Sequence, residues 1–278
     1  MNEIRVLPIG LPGKMATAAT ELLLSDNRFT VIPMSLTGPE IAQESYAIGA
    51  TSFELRRGWE NNFADTARSL RSRYGRFMAV DFTHPTTVNR NAKLYRDNEV
   101  DFVMGTTGGD RIALTNLFAG GSYLTNAVIA PNMAKQVVMF QAMMRYAAER
   151  FPNAFAGYTL EIIESHQAGK ADTSGTAKAM VGYFNALGIP FTADQIIMVR
   201  DIETQLDMGV PETDLAGHGF HTYTVRSADG KVLFRFTHDV CGRGVYAEGT
   251  RDALVFLKKA IDRGEKGRVF SMEDVLEG

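Results

Sequence analysis

Short apolar runs alternate with helix-forming stretches along the first half of the chain. Residues 4–9 read as a buried strand that leads straight into Gly10-Leu11-Pro12-Gly13-Lys14-Met15. Residues 14–24 are rich in Ala and Leu, a helical composition, and 30–36 read as a second strand. The pattern continues with a helix over 61–74, a strand over 77–81, a helix over 86–97 and a strand over 101–105. A helix over 110–118 and a strand over 126–130 complete it. Strands alternating with helices at this pace predict βαβ units and a parallel sheet covered on both faces. Ligands of such sheets sit at the carboxyl ends of the strands, where the polar segments of this chain cluster.

After Pro131 the texture changes. A Met-rich helix is predicted over 137–150, its methionines expected in the core. A strand over 158–165 precedes a helix over 173–187 that opens with Ser174-Gly175-Thr176. Residues 220–226 and 232–238 alternate in character and join through Asp229-Gly230, a hairpin signal. A last helix is expected over 246–263. The expectation is an α/β chain, with a Rossmann-like parallel-sheet domain and a second, α+β domain. The 278 residues suit two domains at about 150 residues each.

Composition removes several classes. Lys plus Arg is 29 against 32 Asp plus Glu, so there is no basic excess for a nucleic acid or an anionic membrane. No apolar run approaches the length of a membrane span, and Glu3, Arg5 and Lys14 break up any signal-peptide pattern. The single cysteine, Cys241, cannot form an intrachain disulfide, and no Cys/His run has zinc spacing. The expectation is a cytoplasmic protein with no metal, no membrane and no nucleic-acid partner.

Gly10 to Met15 follows a strand and opens a helix, the context a dinucleotide loop needs, because the helix N-terminus attracts pyrophosphate. Pro12 stands at the second glycine position and removes one backbone donor. The second strand ends without the carboxylate that would hold an NAD ribose. Hydroxyls on Ser35 and Thr37, with Lys14 nearby, favour a 2′-phosphate and so NADPH over NADH. Gly105-Thr106-Thr107-Gly108 ends another strand, with glycines for close approach and threonines for hydrogen bonding. Asp81-Phe82-Thr83-His84-Pro85 ends a third, and His84 reads as an exposed loop residue. Ala130-Pro131-Asn132-Met133 suits a hinge. The densest polar segment runs from Glu164 to Thr176. His166 and Lys170 can each donate a proton, and Ser174-Gly175-Thr176 offers a helix N-terminus to a carboxylate. His221 and His238 read as satisfied structural histidines within strands, and His218 as loop.

These blocks, in this order, resemble the 4-hydroxy-tetrahydrodipicolinate reductase (dihydrodipicolinate reductase) family. Glu164-Ser165-His166-Gln167-Ala168-Gly169-Lys170-Ala171-Asp172-Thr173-Ser174-Gly175-Thr176 is the most specific of them and is closest to the plant-type branch. The bacterial branch usually has a second histidine where Gln167 stands. Gly242 to Thr250 resembles the family's return into its first domain. The resemblance implies a dinucleotide-binding domain over 1–132 with 244–278, and a substrate-binding and oligomerisation domain over 133–243. It implies NADPH or NADH reducing a cyclic dicarboxylate with loss of water, on the diaminopimelate route to lysine, in a homotetramer of the cytoplasm or a plastid stroma. Its catalytic residues would be His166 and Lys170, with Gln167, Ser174, Gly175 and Thr176 on the substrate. The cofactor would meet Gly10 to Met15, Ser35, Thr37, Phe82, Gly105, Thr106, Thr107 and Ala130 to Met133. Two other readings keep part of the pattern: another nicotinamide dehydrogenase of similar architecture, and a non-catalytic dinucleotide sensor. Neither gives His166 and Lys170 a task.

Overall fold

A computed structural model describes residues 3–278. The chain forms two compact units, one built from the chain up to Lys135 together with Gly244–Gly278, the other from Gln136–Arg243. The first opens with β1 (Ile4–Ile9), α1 (Lys14–Leu24), β2 (Phe29–Val31), β3 (Met34–Leu36), β4 (Ser45–Ile48) and β5 (Thr51–Arg56). It continues through α2 (Phe63–Tyr74), β6 (Met78–Asp81), α3 (Val88–Asp97), β7 (Asp101–Met104), α4 (Arg111–Thr115) and β8 (Ala127–Ile129). The second unit holds α5 (Lys135–Arg150, whose first residue belongs to the first unit), β9 (Thr159–His166), α6 (Gly175–Ala186), β10 (Ile197–Val199), α7 (Ile202–Asp207), β11 (His218–Arg226) and β12 (Leu233–Cys241). The chain then returns to the first unit as α8 (Gly244–Asp262), β13 (Val269–Phe270) and α9 (Met272–Glu277).

The sheet of the first unit runs β13-β8-β7-β6-β1-β3-β5-β4, with β2 also beside β1. Every pair is parallel except the β4–β5 ribbon at one edge, which the sequence pattern did not predict. The single strand expected over 30–36 is two. Pro33 has no N–H for a ladder, so β2 ends before it and β3 starts after it, both still paired to β1. Alternate strand residues serve opposite faces. Leu7, Ile9, Ala79, Phe102 and Met104 join α2, α3 and α4 in one apolar core around Phe63 and Tyr95. On the other face α1 and α8 pack together.

The second unit is a mixed sheet in the order β10-β9-β11-β12. Its core lies on one face, where Ile162, Tyr223 and Val225 meet Met144 and Ala148 of α5 and Met180 and Phe184 of α6. The Met-rich helix is only partly core. Met144 is 6% exposed, but Met139 and Met143 are 50% and 60% exposed, because a helix can turn just one stripe to a sheet.

One buried carboxylate joins the loops at the carboxyl edge of the first unit. Asp81 ends β6 and is fully buried. Its oxygens accept from Thr83 N at 2.9 Å, Thr83 Oγ1 at 2.7 Å, Asn91 Nδ2 at 3.0 Å, Tyr95 Oη at 2.6 Å and Thr106 Oγ1 at 3.1 Å. Those donors come from the loop after β6, from α3 and from the loop after β7. Replacing Asp81 by Ala strands the Thr83 amide and the buried Tyr95 hydroxyl, at about 1–3 kcal/mol for each donor left without a partner, while Asn91, Thr83 Oγ1 and Thr106 keep second acceptors in Thr83 and Thr87 hydroxyls and the Asp81 carbonyl. Urea unfolding of Asp81→Ala should therefore show a large loss of stability in the first unit. A midpoint equal to that of the wild type would show that the donors find other partners.

Candidate functional site

The crevice of the first unit lies where the strand order reverses. Beside the end of β1, Ile9 pairs with Leu36 of β3 on one side and with Asp81 of β6 on the other. The chain leaves β1 through α1 toward β2 and β3 and reaches β6 only later, which is the switch point at which open α/β sheets bind ligands. Gly10 has φ +105°, and a Cβ there would lie 2.5 Å from the Phe82 carbonyl oxygen, so only glycine fits. Gly13 closes the turn, donating to Gly10 O at 2.8 Å, and no side chain caps α1 above it. The Leu11–Pro12 peptide between them is cis. Lys14 and Met15 form the first turn of α1. Gly10, Gly13, Thr37 and Phe82 line a cavity of about 510 Å³, together with Trp59, Glu40 and Arg90. A glycine loop whose backbone has no room for a Cβ, ahead of a helix with uncapped amides, fits a dinucleotide pyrophosphate.

Ser35 and Thr37 turn their hydroxyls to the glycine loop. Both are buried: Ser35 Oγ accepts from Leu11 N at 3.1 Å and Thr37 Oγ1 donates to Leu11 O at 2.6 Å. They brace the glycine loop from the neighbouring strand. Thr106 is likewise turned inward to Asp81, while Thr107 is exposed. Gly105 lies against the Phe82 ring and donates to Asp81 O at 3.1 Å. Ala130 follows β8 and donates to Met104 O at 3.0 Å. Of the next three residues, Pro131 is exposed, Asn132 Oδ1 accepts from Ala134 N at 2.9 Å, and the Met133 carbonyl packs on Gly249 of α8.

In the second unit the sheet register assembles a polar row. His221 of β11 pairs with Glu164 of β9 on one side and with His238 of β12 on the other. Two residues along β9, His166 faces Gly219, and its ring occupies the space a side chain there would need. His166 Nδ1 donates to His218 O at 3.0 Å, which leaves Nε2 as the lone-pair atom of the neutral ring. That Nε2 is buried and has no hydrogen-bond partner among the described residues. Burial is the main cause that holds the His166 pKa below its ordinary value, with Lys170 and Arg200 adding to it and Glu164 opposing it. Gln205 of α7 steadies the strand end by donating to His166 O at 2.8 Å.

Lys170 rides on the loop between β9 and α6, where its ammonium donates to Asp172 O at 2.7 Å. Gln167 is half-buried on the same loop. Ser174 is the N-cap of α6: its Oγ accepts from Thr176 N at 3.2 Å and its own N–H donates to Glu164 Oε2 at 2.9 Å. Its polar groups are thus engaged within the protein. Gly175 is exposed with open space where a Cβ would stand, and Thr176 is half-buried. The first turn of α6 therefore presents backbone amides at an unobstructed surface.

Sequence reasoning missed the residues that hold this site together. Arg200, beyond β10, donates from Nη2 to Glu164 Oε1 at 2.6 Å across 36 positions of chain, a separation with no local signature. Glu164, His166 and His221 bring ligand-type atoms within 4.8 Å of one another, a grouping that Cys/His spacing did not anticipate. The cation that Glu164 takes here is the Arg200 guanidinium. His221 and His238 are in strands as expected; among the described residues both His221 nitrogens and His238 Nδ1 lack hydrogen-bond partners, while His238 Nε2 meets Tyr223 Oη at 3.5 Å. His218 is not loop: it begins β11, buried, and shares a 2.7 Å hydrogen bond with Ser165 Oγ.

Comparison with known proteins gives two family matches. Residues 4–133 match the model for dihydrodipicolinate reductase, N-terminus, and residues 136–276 the model for its C-terminus. The chain is 42% identical over 276 residues to 4-hydroxy-tetrahydrodipicolinate reductase 2, chloroplastic, of Arabidopsis thaliana, covering 99% of this chain and 78% of that one. It is 43% identical over 265 residues to the probable chloroplastic reductase 1 of Oryza sativa subsp. japonica, covering 95% and 76%. These matches bear out the resemblance to the plant-type branch. Among solved structures, a dipicolinate-bound dihydrodipicolinate reductase from Paenisporosarcina sp. TG-14 superposes with a TM-score of 0.65 at 20% identity, covering 98% of this chain and 99% of that one. The fold is the same.

The buried imidazoles set an acid limit to stability. Burial pushes His221 down to about 2 and His238 down to about 4, from 6.5. The unfolded chain takes up protons below pH 6.5 that the folded chain refuses, so stability falls as pH drops. The contribution of His238 is lost by about pH 4, and that of His221 continues to fall toward pH 2. Charged neighbours on the packed elements are Glu164 and His166 of β9, Lys170 of the following loop and Arg200. Melting temperature scanned from pH 7 to pH 4 should decline, and less steeply for His238→Phe. Parallel slopes would show that His238 protonates freely in the folded state.

Proposed function

The chain belongs to the dihydrodipicolinate reductase family, and from that premise we infer that it reduces 4-hydroxy-tetrahydrodipicolinate to tetrahydrodipicolinate with loss of water, in lysine biosynthesis. The observation that carries the residue assignment is that one strand–loop–helix excursion, β9 to α6, bears the imidazole, the ammonium and the open helix N-terminus together. A bound reduced nicotinamide supplies the hydride, to substrate C4. The first unit is the dinucleotide-binding domain and the second the substrate domain.

His166 and Lys170 divide the acid–base work. At neutral pH His166 is the unprotonated partner, since burial disfavours its charged form and its one N–H is committed to His218 O. Lys170 is then the proton donor to the reduced ring. Its positive charge also stabilises the negative charge that develops there, more in the transition state than before it. His166 is the partner acid/base of Lys170 and an electrostatic stabiliser beside it. Gly175 and Thr176 border a substrate carboxylate at the N-terminus of α6, where the helix dipole favours an anion. Ser174 aims those amides as their cap, and Gln167 borders the substrate.

NADPH is the cofactor we assign ahead of NADH, on a different ground from Ser35 and Thr37. Arg57 Nη1 reaches the loop after β3, donating to Ile41 O at 3.3 Å, and Ile41 borders the cavity. A guanidinium against the loop that Ile41 belongs to suits a 2′-phosphate. The assembly we propose is a homotetramer, in the cytoplasm or a plastid stroma.

Three outcomes test this reading. Lys170→Ala should lower turnover about 10²–10⁴-fold with cofactor affinity unchanged, followed by nicotinamide oxidation with the dicarboxylate substrate. Normal turnover with a raised KM would make Lys170 a binding residue. Gly175→Val, at a position with room for the side chain, should raise substrate KM steeply and leave melting temperature and dinucleotide Kd near wild type. Lower melting temperature alone would remove the substrate from this helix. Arg57→Ala should weaken NADPH and not NADH, and added salt should do the same to the wild type. Equal effects on both cofactors would overturn the 2′-phosphate assignment.

A further inference from the structure

The loop 167–173 leaves the sheet after His166 and rejoins the fold at Ser174. Its own bonds are short-range: Lys170 N donates to Gln167 O at 2.9 Å, and Lys170 Nζ to Asp172 O at 2.7 Å. Ala168, Gly169, Ala171 and Asp172 are exposed, and nothing lies within 4 Å of where a Gly169 Cβ would be. A loop with few ties beyond itself opens at little free-energy cost. Among the described residues, two contacts hold this loop from another element. Thr173 Oγ1 meets Met198 Sδ at 3.5 Å, a weak acceptor, and Arg200 Nε donates to Lys170 O at 2.9 Å.

The rest of the Arg200 guanidinium is fixed on rigid ground. Nη1 donates to Val199 O at 3.0 Å and Nη2 to Glu164 Oε1 at 2.6 Å. Glu164 is fully buried, and its other oxygen accepts from Ser174 N at 2.9 Å. One guanidinium–carboxylate pair thus connects the carbonyl of Lys170, at the loop's apex, to the N–H of Ser174, at its exit. The planar fork sets direction as well as distance, which a point charge on a flexible stem does not.

We propose that Arg200 is a positioning residue for the reaction: anchored on Glu164, it holds the backbone of Lys170 so that the ammonium and the N-terminus of α6 act as one rigid site. This rests on the assignment of Lys170 as proton donor. The pair also accounts for a carboxylate buried among histidines, since its charge is met by the side chain that steadies the loop.

The test is a double-mutant cycle on the full-length enzyme with Arg200→Lys and Lys170→Ala. Lysine at 200 keeps a positive charge for Glu164 and loses the arm that reaches Lys170 O. Arg200→Lys should lower kcat roughly 10–100-fold, the scale of an ångström-sized misplacement, with dinucleotide Kd unchanged. It should also speed amide exchange across 167–173. Added to Lys170→Ala, it should cost no further turnover, because Arg200 acts through Lys170. Additive losses would overturn the inference and leave the proton-donor assignment standing. A Lys170→Ala enzyme with normal turnover would overturn both. A lowered melting temperature with wild-type kcat and loop exchange would make Arg200 merely structural and overturn the inference. If Arg200→Lys does not fold, the paired change Glu164→Gln with Arg200→Gln buries no unmatched charge and is read by the same measurements.

Discussion

A carboxylate withdrawn from water costs several kcal/mol unless donors surround it. Glu164 meets that demand with the Ser174 amide and the Arg200 guanidinium, and His221 Nε2 stands 3.8 Å away. Each partner belongs to a different element, so satisfying the charge fixes where those elements lie. The cap of α6, the end of β10 and the Lys170 loop are all referred to one side chain at the end of β9. The electrostatics of the site follow from the same arrangement. Partial burial, with the charges of Lys170 and Arg200, holds the His166 pKa below its ordinary value against the pull of Glu164.

Asp81 plays the corresponding part in the first unit. Its donors come from the two loops that follow β6 and β7 and from α3, so the carboxyl edge of the sheet is a hydrogen-bonded rim. The glycine loop is braced separately, by Ser35 and Thr37 gripping Leu11 from β3. Backbone amides used to hold a phosphate must not move when it arrives, and here side-chain hydroxyls supply that stiffness.

On the proposed assignment, each unit meets a separate demand of the hydride transfer. The first offers a cradle that tolerates no Cβ and a helix with uncapped amides. The second offers one cation, one neutral imidazole and one open helix terminus. A cation that stabilises charge formed during reaction is effective only if its position is set beforehand, because reorganisation would consume the gain. That need gives a purpose to the buried ion pair behind the Lys170 loop.

The sequence by itself determined the alternation of strands and helices, the glycine loop, the hairpin at Asp229-Gly230 and the block from His166 to Thr176. All of these are local: periodicity, turn chemistry and caps act within a few residues, so they leave a readable trace. The β4–β5 ribbon, β10 and α7 were not legible, being short elements whose stability comes from neighbours and not from propensity. Only the tertiary structure decided that Ser35 and Thr37 brace a loop, that Gly219 makes room for an imidazole, and that Arg200 meets Glu164. Strand register fixes which side chains stand opposite one another, and register is set by the packing of the whole sheet. A contact across 36 residues leaves no pattern along the chain, because its partners are neighbours only after folding.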